Sequence, residues 1–185
     1  PASPGQRDFI RDCIHGLHFL TMPDPHSKIL SRVPMLHWRT DLRQRGLRLG
    51  VTNGCFDLLH RGHVEYLNGA RASCDRLLVL LNSDSSIRQV KGPDRPVIHE
   101  SDRAYMLASM EAVDALHIFG SRHCTDLFRL IEPDIYVKGG DYTEETLVRE
   151  EFLLLRSLGV EFVFIPFVPG LSTTTLLERI RRLEA

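Results

Sequence analysis

Residues 51–63 read Val51-Thr52-Asn53-Gly54-Cys55-Phe56-Asp57-Leu58-Leu59-His60-Arg61-Gly62-His63, and they pass from an apolar strand through a glycine turn into a helical pattern. A junction of this kind makes an anion site. Gly54 lets the backbone approach a ligand closely, Gly62 allows a tight helix entry, and the first amides of the helix point at negative charge. His60 and His63, three apart at that helix start, are near neighbours and can both donate to phosphate oxygens. Asp57 has two readings that stay open: a ligand contact, or a cap on backbone amides within the turn.

Outward from this junction, apolar runs alternate with helical stripes. The runs are Leu49 to Thr52, Arg76 to Leu81, Ala115 to Phe119, Ile135 to Val137 and Val160 to Ile165. Five strands separated by helices predict an α/β domain with a Rossmann-like, doubly wound, five-stranded parallel sheet. Leu77 to Leu81 is apolar without alternation, so that strand should be covered on both faces and lie centrally. Val64, Leu67 and Ala70 share a helical face, as do Leu147, Val148, Phe152, Leu155 and Leu158, and then Leu176, Leu177, Ile180 and Leu183. Thr143-Glu144-Glu145 reads as a capped helix start, and Thr175 with Glu178 as a capping box. In such sheets ligands sit beyond the carboxyl ends of the strands, where the strand order reverses.

The sequence divides into residues 1–47, an N-terminal helical extension, and residues 48–185, the α/β domain. In the extension, Phe9, Ile10, Cys13, Ile14 and Leu17 suggest one amphipathic helix and Leu36 to Leu47 a second, suited to packing on the core or supporting an oligomer contact. Because the chain opens on Pro1, its first residues are given no functional weight.

A net charge of -1, with 25% charged residues and 43% apolar ones, argues for a packed core. It argues against a broadly basic nucleic-acid surface, so no nucleic-acid partner is expected and an anion site must be built locally. Cys13, Cys55, Cys74 and Cys124 are widely spaced, which fits reduced thiols in a cytoplasmic protein and no structural metal. No apolar run approaches the roughly 20 residues of a membrane span, so no membrane association is expected.

The string ending in His60-Arg61-Gly62-His63 resembles the signature of the HxGH nucleotidyltransferase superfamily. From about residue 49 to 183 the chain resembles, more narrowly, the adenylyltransferase domain that makes ADP-heptose from D-glycero-β-D-manno-heptose 1-phosphate. The matching segments are Thr52 to Asp57, Asn82-Ser83-Asp84, Lys91-Gly92 with Arg95-Pro96, Asp102-Arg103, Pro133-Asp134, Lys138 to Tyr142, and Pro169-Gly170 before Ser172-Thr173-Thr174. The resemblance implies attack of a sugar phosphate on the α-phosphorus of ATP, loss of pyrophosphate, no covalent enzyme intermediate, and Mg²⁺ carried in with ATP. His63 would face the reacting α-phosphate, His60 would hold the triphosphate chain, and Lys91 would close over it as a mobile cation. Asn53, Gly54, Cys55, Phe56, Gly62, Lys138, Gly139, Gly140, Asp141, Ser172, Thr173 and Thr174 would contact the nucleotide. Asp57, Asn82, Asp84 and Arg103 would join Lys91 around the acceptor.

Two departures from the family pattern stand out: Ser121-Arg122-His123-Cys124 precedes Thr125, and Arg149 stands where relatives often carry glycine. Neither touches the histidine motif, so they bear on the acceptor or a subunit contact. The family implies a homodimer. Many relatives also fuse this domain to a sugar kinase, which the residues before position 48 are too few to encode, so a monofunctional chain is expected. Two enzyme alternatives keep the chemistry and change the substrates: cytidylyl transfer to glycerol 3-phosphate, or adenylyl transfer to FMN. A nucleotide-binding regulatory module without turnover is a third, against which the intact histidines, Lys91 and Ser172 to Thr174 argue.

Overall fold

The protein is described by a computed structural model over residues 24–140, 142–166, 170 and 172–183. The amphipathic stripe at residues 9–17 and the nucleotide-contact candidate Asp141 lie outside the described residues. Five strands form one parallel sheet: β1 Leu49–Gly54, β2 Arg76–Asn82, β3 Ala115–Phe119, β4 Ile135–Gly139 and β5 Glu161–Ile165. Their spatial order is β3-β2-β1-β4-β5. The helices are α1 Arg32–Gln44, α2 Arg61–Ala72, α3 Asp84–Lys91, α4 Glu100–Ala108, α5 Thr125–Ile131, α6 Arg149–Ser157 and α7 Thr173–Leu183. The doubly wound α/β fold is thus the one the alternation of runs predicts.

Strand β2 explains its own sequence. Leu78 and Leu80 enter the core shared with α1, α5 and α6, while Leu77, Val79 and Leu81 enter the one shared with α2 and α4. All five are fully buried, which is why no polar residue interrupts the run. The middle position nevertheless belongs to β1, whose Gly50 admits the Cys74 side chain: a Cβ at Gly50 would sit 2.6 Å from Cys74 Sγ.

Helix α1 packs on the same core through fully buried Met35 and nearly buried Leu42. Its Arg39, 3% exposed, donates to the carbonyls of Ile131 and Glu132 at the end of α5 and to Asp134 Oδ2. That same carboxylate oxygen accepts from Leu49 N at 2.7 Å, so Asp134 ties the start of β1 to α1.

Three local expectations need correction. Thr143-Glu144-Glu145 forms a turn, with Thr146 Oγ1 accepting from Thr143 N and Thr146 N donating to Thr143 O, and α6 begins only at Arg149. The last helix is capped by Ser172, whose Oγ accepts from Thr175 N at 3.0 Å and whose carbonyl already accepts from Leu176 N; Thr175 is therefore inside the helix. Val64, on the stripe with Leu67 and Ala70, is 40% exposed, because the first turn of α2 belongs to the open rim of the strand ends rather than to the core.

The feature that positions the site is the pairing of β1. Residues Leu49 to Gly54 are all in register with Arg76 to Leu81 of β2, whereas with β4 only Gly50 and Val51 are, opposite Ile135 and Tyr136. Beyond Val51 the two strands part. This is the place where strand order reverses, and Tyr66 of α2 fills the opening: its hydroxyl donates to Val137 O at 3.0 Å and accepts from Thr52 Oγ1 at 2.6 Å. The Tyr66 ring lies so close over Gly139 that a Cβ there would stand 2.7 Å from it. Gly139→Ala should therefore lower stability by about 1–3 kcal/mol, as overpacking does, read as a lower urea midpoint at unchanged slope.

Candidate active site

Helix α2 begins with a reciprocal cap made by the two histidines. His60 Nδ1 accepts from Gly62 N at 3.1 Å, and His63 Nδ1 accepts from His60 N at 3.4 Å. The rings stack with centroids 4.0 Å apart, and His63 also packs on the buried Phe56 ring at 5.6 Å. With each Nδ1 committed as an acceptor, these contacts assign the proton of the neutral ring to Nε2. Each ring is left with one N–H to offer a ligand. Lys91, exposed at the end of α3, stands near enough to oppose the protonation of His63.

At the parting of β1 and β4 a second set of residues converges on Asn53. Tyr136 Oη donates to Asn53 Oδ1 at 2.8 Å, Asn53 Nδ2 donates to Cys124 Sγ at 3.3 Å, and Lys138 Nζ donates to Asn53 O at 3.2 Å. The Lys138 ammonium also lies 5.0 Å from the centre of the Tyr142 ring and 5.6 Å from that of Tyr136. Burial pulls its pKa below the ordinary lysine value, with Glu151 acting in the opposite direction. Glu151 is 4% exposed and accepts from Cys124 N at 2.5 Å. Of the glycines proposed for the nucleotide, Gly139 is covered by Tyr66, Gly54 lies against the Phe56 ring, and Gly140 adopts a φ of +92° and donates its N–H to Ile165 O. Cys55 is partly exposed, and its carbonyl accepts from Arg103.

The residues read as acceptor ligands are placed differently from Lys91. Arg103 is fully buried, and its guanidinium donates to Ile98 O, Cys55 O, Asn82 O and Asp84 Oδ1. Asn82 Nδ2 donates to Ser86 Oγ, and Asp84 Oδ2 lies 3.3 Å from His99 Nε2. Asp57, 2% exposed, accepts from Arg95, Val97 N and Ile98 N. These four side chains are engaged with neighbouring side chains, Ser86, His99 and Arg95 among them, and with nearby backbone, so they shape the rim of the site from beneath. Thr173 Oγ1 donates to Asp57 O at 2.9 Å, which brings the start of α7 to the histidine turn; Ser172 and Thr174 are exposed there.

Glu151 and Tyr66 carry this architecture without having been singled out from the sequence, and Arg95, quoted there only within a matching segment, joins them. Glu151 left a readable signal: it falls between Leu147 and Leu155 at helical spacing, an acid on an apolar stripe. At the other end of the strands, a cavity of about 430 Å³ is lined by Arg39, Arg43 and Arg48. Those arginines are already paired with Asp134, Glu132 and Glu161, so the strand C-termini, and not this cavity, hold the available donors.

Residues 51–179 match the family described as cytidylyltransferase-like. The chain belongs to that family. The bifunctional protein HldE of Rhodopseudomonas palustris strain BisB5 is 45% identical over 85% of the chain, and that of strain HaA2 is 50% identical over 80%. The HldE protein of Nitrobacter winogradskyi is 49% identical over 76%. The chain spans about a third of the length of these relatives, 33%, 29% and 28% respectively. Among solved structures, the lipopolysaccharide core biosynthesis protein from Thermoplasma volcanium GSS1 shares the fold, with a TM-score of 0.55 and 23% identity, covering 66% of this chain and 98% of that one.

The surroundings of the two histidines favour their neutral form. Burial, then His60 and Lys91, push His63 down to about 4, and burial lowers His60 as well. Unfolded, His63 returns toward 6.5, so between pH 6.5 and 4 the unfolded chain binds more protons than the folded one. Stability therefore falls as pH drops through that window. The depressed carboxyls of Asp57 and Asp134 add their own loss only at lower pH, since their unfolded value is 3.8. The urea midpoint should be lower at pH 5 than at pH 7.5, and His63→Gln should shrink the difference.

Proposed function

We propose that the chain transfers the adenylyl group of ATP to a sugar 1-phosphate, D-glycero-β-D-manno-heptose 1-phosphate, giving ADP-heptose and pyrophosphate. The observation that carries this reading is the capped histidine pair beside Lys91 at the strand ends, within a chain that resembles ADP-heptose adenylyltransferases along most of its length. A phosphate oxygen of the acceptor bonds to the α-phosphorus, the bond from that phosphorus to the β-phosphate oxygen breaks, and the electron pair leaves with pyrophosphate. Negative charge grows on the non-bridging α-oxygens and on the leaving group. Preorganised donors aimed at such charge typically contribute about 10²–10³ in rate each. His63 Nε2–H serves the α-phosphate, while His60 Nε2–H and Lys91 serve the β- and γ-phosphates. The start of α7, with Ser172 and Thr174 exposed, adds hydroxyl and amide donors.

Magnesium fits as a passenger of the triphosphate: imidazole N–H, ammonium and amide groups recognise phosphate oxygens, and among the described residues no group of three His, Cys, Asp or Glu could hold a metal ion. Use of ATP supports a cytoplasmic setting for the proposed reaction; among the described residues no helix is long and apolar enough to cross a membrane. A homodimer would cover the apolar side of α7, where Ile180 is 49% and Leu183 86% exposed; light scattering reads its mass.

The test is pyrophosphate release over a grid of nucleoside triphosphates and phosphorylated acceptors. ATP with the heptose 1-phosphate should be the preferred pair; preference for CTP with glycerol 3-phosphate would replace the reading with a cytidylyl transfer, to which the family description also points. His63→Ala should lower turnover by about 10²-fold or more, and unchanged turnover would move the chemistry away from this turn.

A further inference from the structure

Asp57 sits between two residues, Phe56 at φ 46° and Leu58 at φ 49°, that adopt left-handed backbone conformations side chains ordinarily avoid. Such a turn keeps its shape only where neighbouring contacts determine it. Phe56 packs on His63 and into the core, and among the described residues the hydrogen bonds that Phe56, Asp57 and Leu58 make to other segments run through Asp57. On one side, its Oδ2 accepts from Arg95 Nε at 2.9 Å and Val97 N at 3.0 Å, with Arg95 Nη2 in ionic contact at 2.7 Å, and its Oδ1 accepts from Ile98 N at 3.0 Å and Val97 N at 3.2 Å. On the other, its carbonyl accepts from Thr173 Oγ1. The capped histidines follow three and six residues later, and the loop that Asp57 grips begins at Lys91.

We propose that Asp57 is a positioning residue for triphosphate binding and transfer, clasping the Lys91–Ile98 loop and the start of α7 onto the histidine turn so that three phosphate-binding segments keep one geometry. This rests on the nucleotidyltransferase reading and is independent of which acceptor is used. A direct role for the carboxylate at the reacting atoms does not fit its surroundings. The side chain is 1% exposed and surrounded by donors. Burial would raise its pKa, but the Val97 and Ile98 amides and the Arg95 guanidinium more than offset this and keep it ionised, with those donors already taken. Arg103 secures the far end of the same loop by donating to Ile98 O, so Lys91 is the part of the loop whose place depends on the Asp57 grip.

A residue that merely supports folding would lower stability and leave the contribution of Lys91 unchanged. A positioning residue would remove that contribution. The measurement is a double-mutant cycle on the whole chain, with Mg²⁺ and α,β-methylene-ATP binding followed by calorimetry and turnover followed by pyrophosphate release. Lys91→Ala should weaken binding of the analogue about tenfold in the parent but no more than about twofold in Asp57→Asn, the non-additivity of groups that act through one another. Equal Lys91→Ala effects in both backgrounds overturn the proposal. If Asp57→Asn does not fold, Arg95→Met cuts the same grip from the loop side, and Lys91→Ala must again lose most of its effect in that background; full retention overturns the proposal equally. Turnover by the parent with different acceptors reports separately on the proposed substrate, so a wrong acceptor leaves the binding cycle interpretable.

Discussion

The parting of β1 and β4 beyond Val51 is the constraint on which the site depends. A parallel sheet that continued pairing would have closed the crevice with backbone hydrogen bonds. Here the freed groups find side chains instead: Tyr66 bridges Thr52 and Val137, and Tyr136 and Lys138 both reach Asn53. Each bond satisfies a polar group that would otherwise be buried unpaired, a deficit worth about 1–3 kcal/mol per group. The opening is therefore held at a fixed width by packing, and Tyr66 anchors α2, the helix whose start carries the histidine cap.

Under the proposed function, that fixed frame lets the site use uncharged imidazoles. Two histidinium rings stacked at 4.0 Å would repel one another and the nearby lysine; two neutral rings sharing a helix cap do not. The cap also chooses the tautomer, so each ring arrives with its Nε2 proton placed and no reorganisation is needed as charge develops. Under the proposed function, formal positive charge is left to Lys91, exposed at the end of α3.

The sheet was legible in the sequence because its runs are long, apolar and bounded by turn residues; the strand ends differ from the reading by a residue or two. What was less legible was the use of polar residues. Asn82, Asp84 and Arg103 stand in the right segments for ligand contacts, yet Arg103 and Asp84 form a buried ion pair whose partners include the ends of two strands. Sequence spacing shows that a charge is near a site but not which way it faces. Removing one member of such a pair costs about 3–5 kcal/mol, so loss of activity at these positions alone cannot be read as loss of a ligand. Thr143 to Glu145 misled for a simpler reason: cap residues are also turn residues, and a turn came first.

The departure at Cys124 connects the two halves of the picture. Counted along the chain it lies far from the histidine motif, but its sulfur touches Asn53 and its amide is held by buried Glu151. The segment that departs from the family pattern thus abuts Asn53 at the parting of β1 and β4 rather than a remote surface. Burial pushes the Cys124 thiol well above its ordinary value, so it stays a neutral, soft partner for the Asn53 amide. Another residue at position 124 would change the packing behind Asn53 while leaving the histidine cap untouched, because the cap is closed by the two imidazoles and the amides of His60 and Gly62. The histidine cap at the start of α2 and the Asn53 contacts at the parting of β1 and β4 are therefore separate hydrogen-bond networks, and a change in one need not disturb the other.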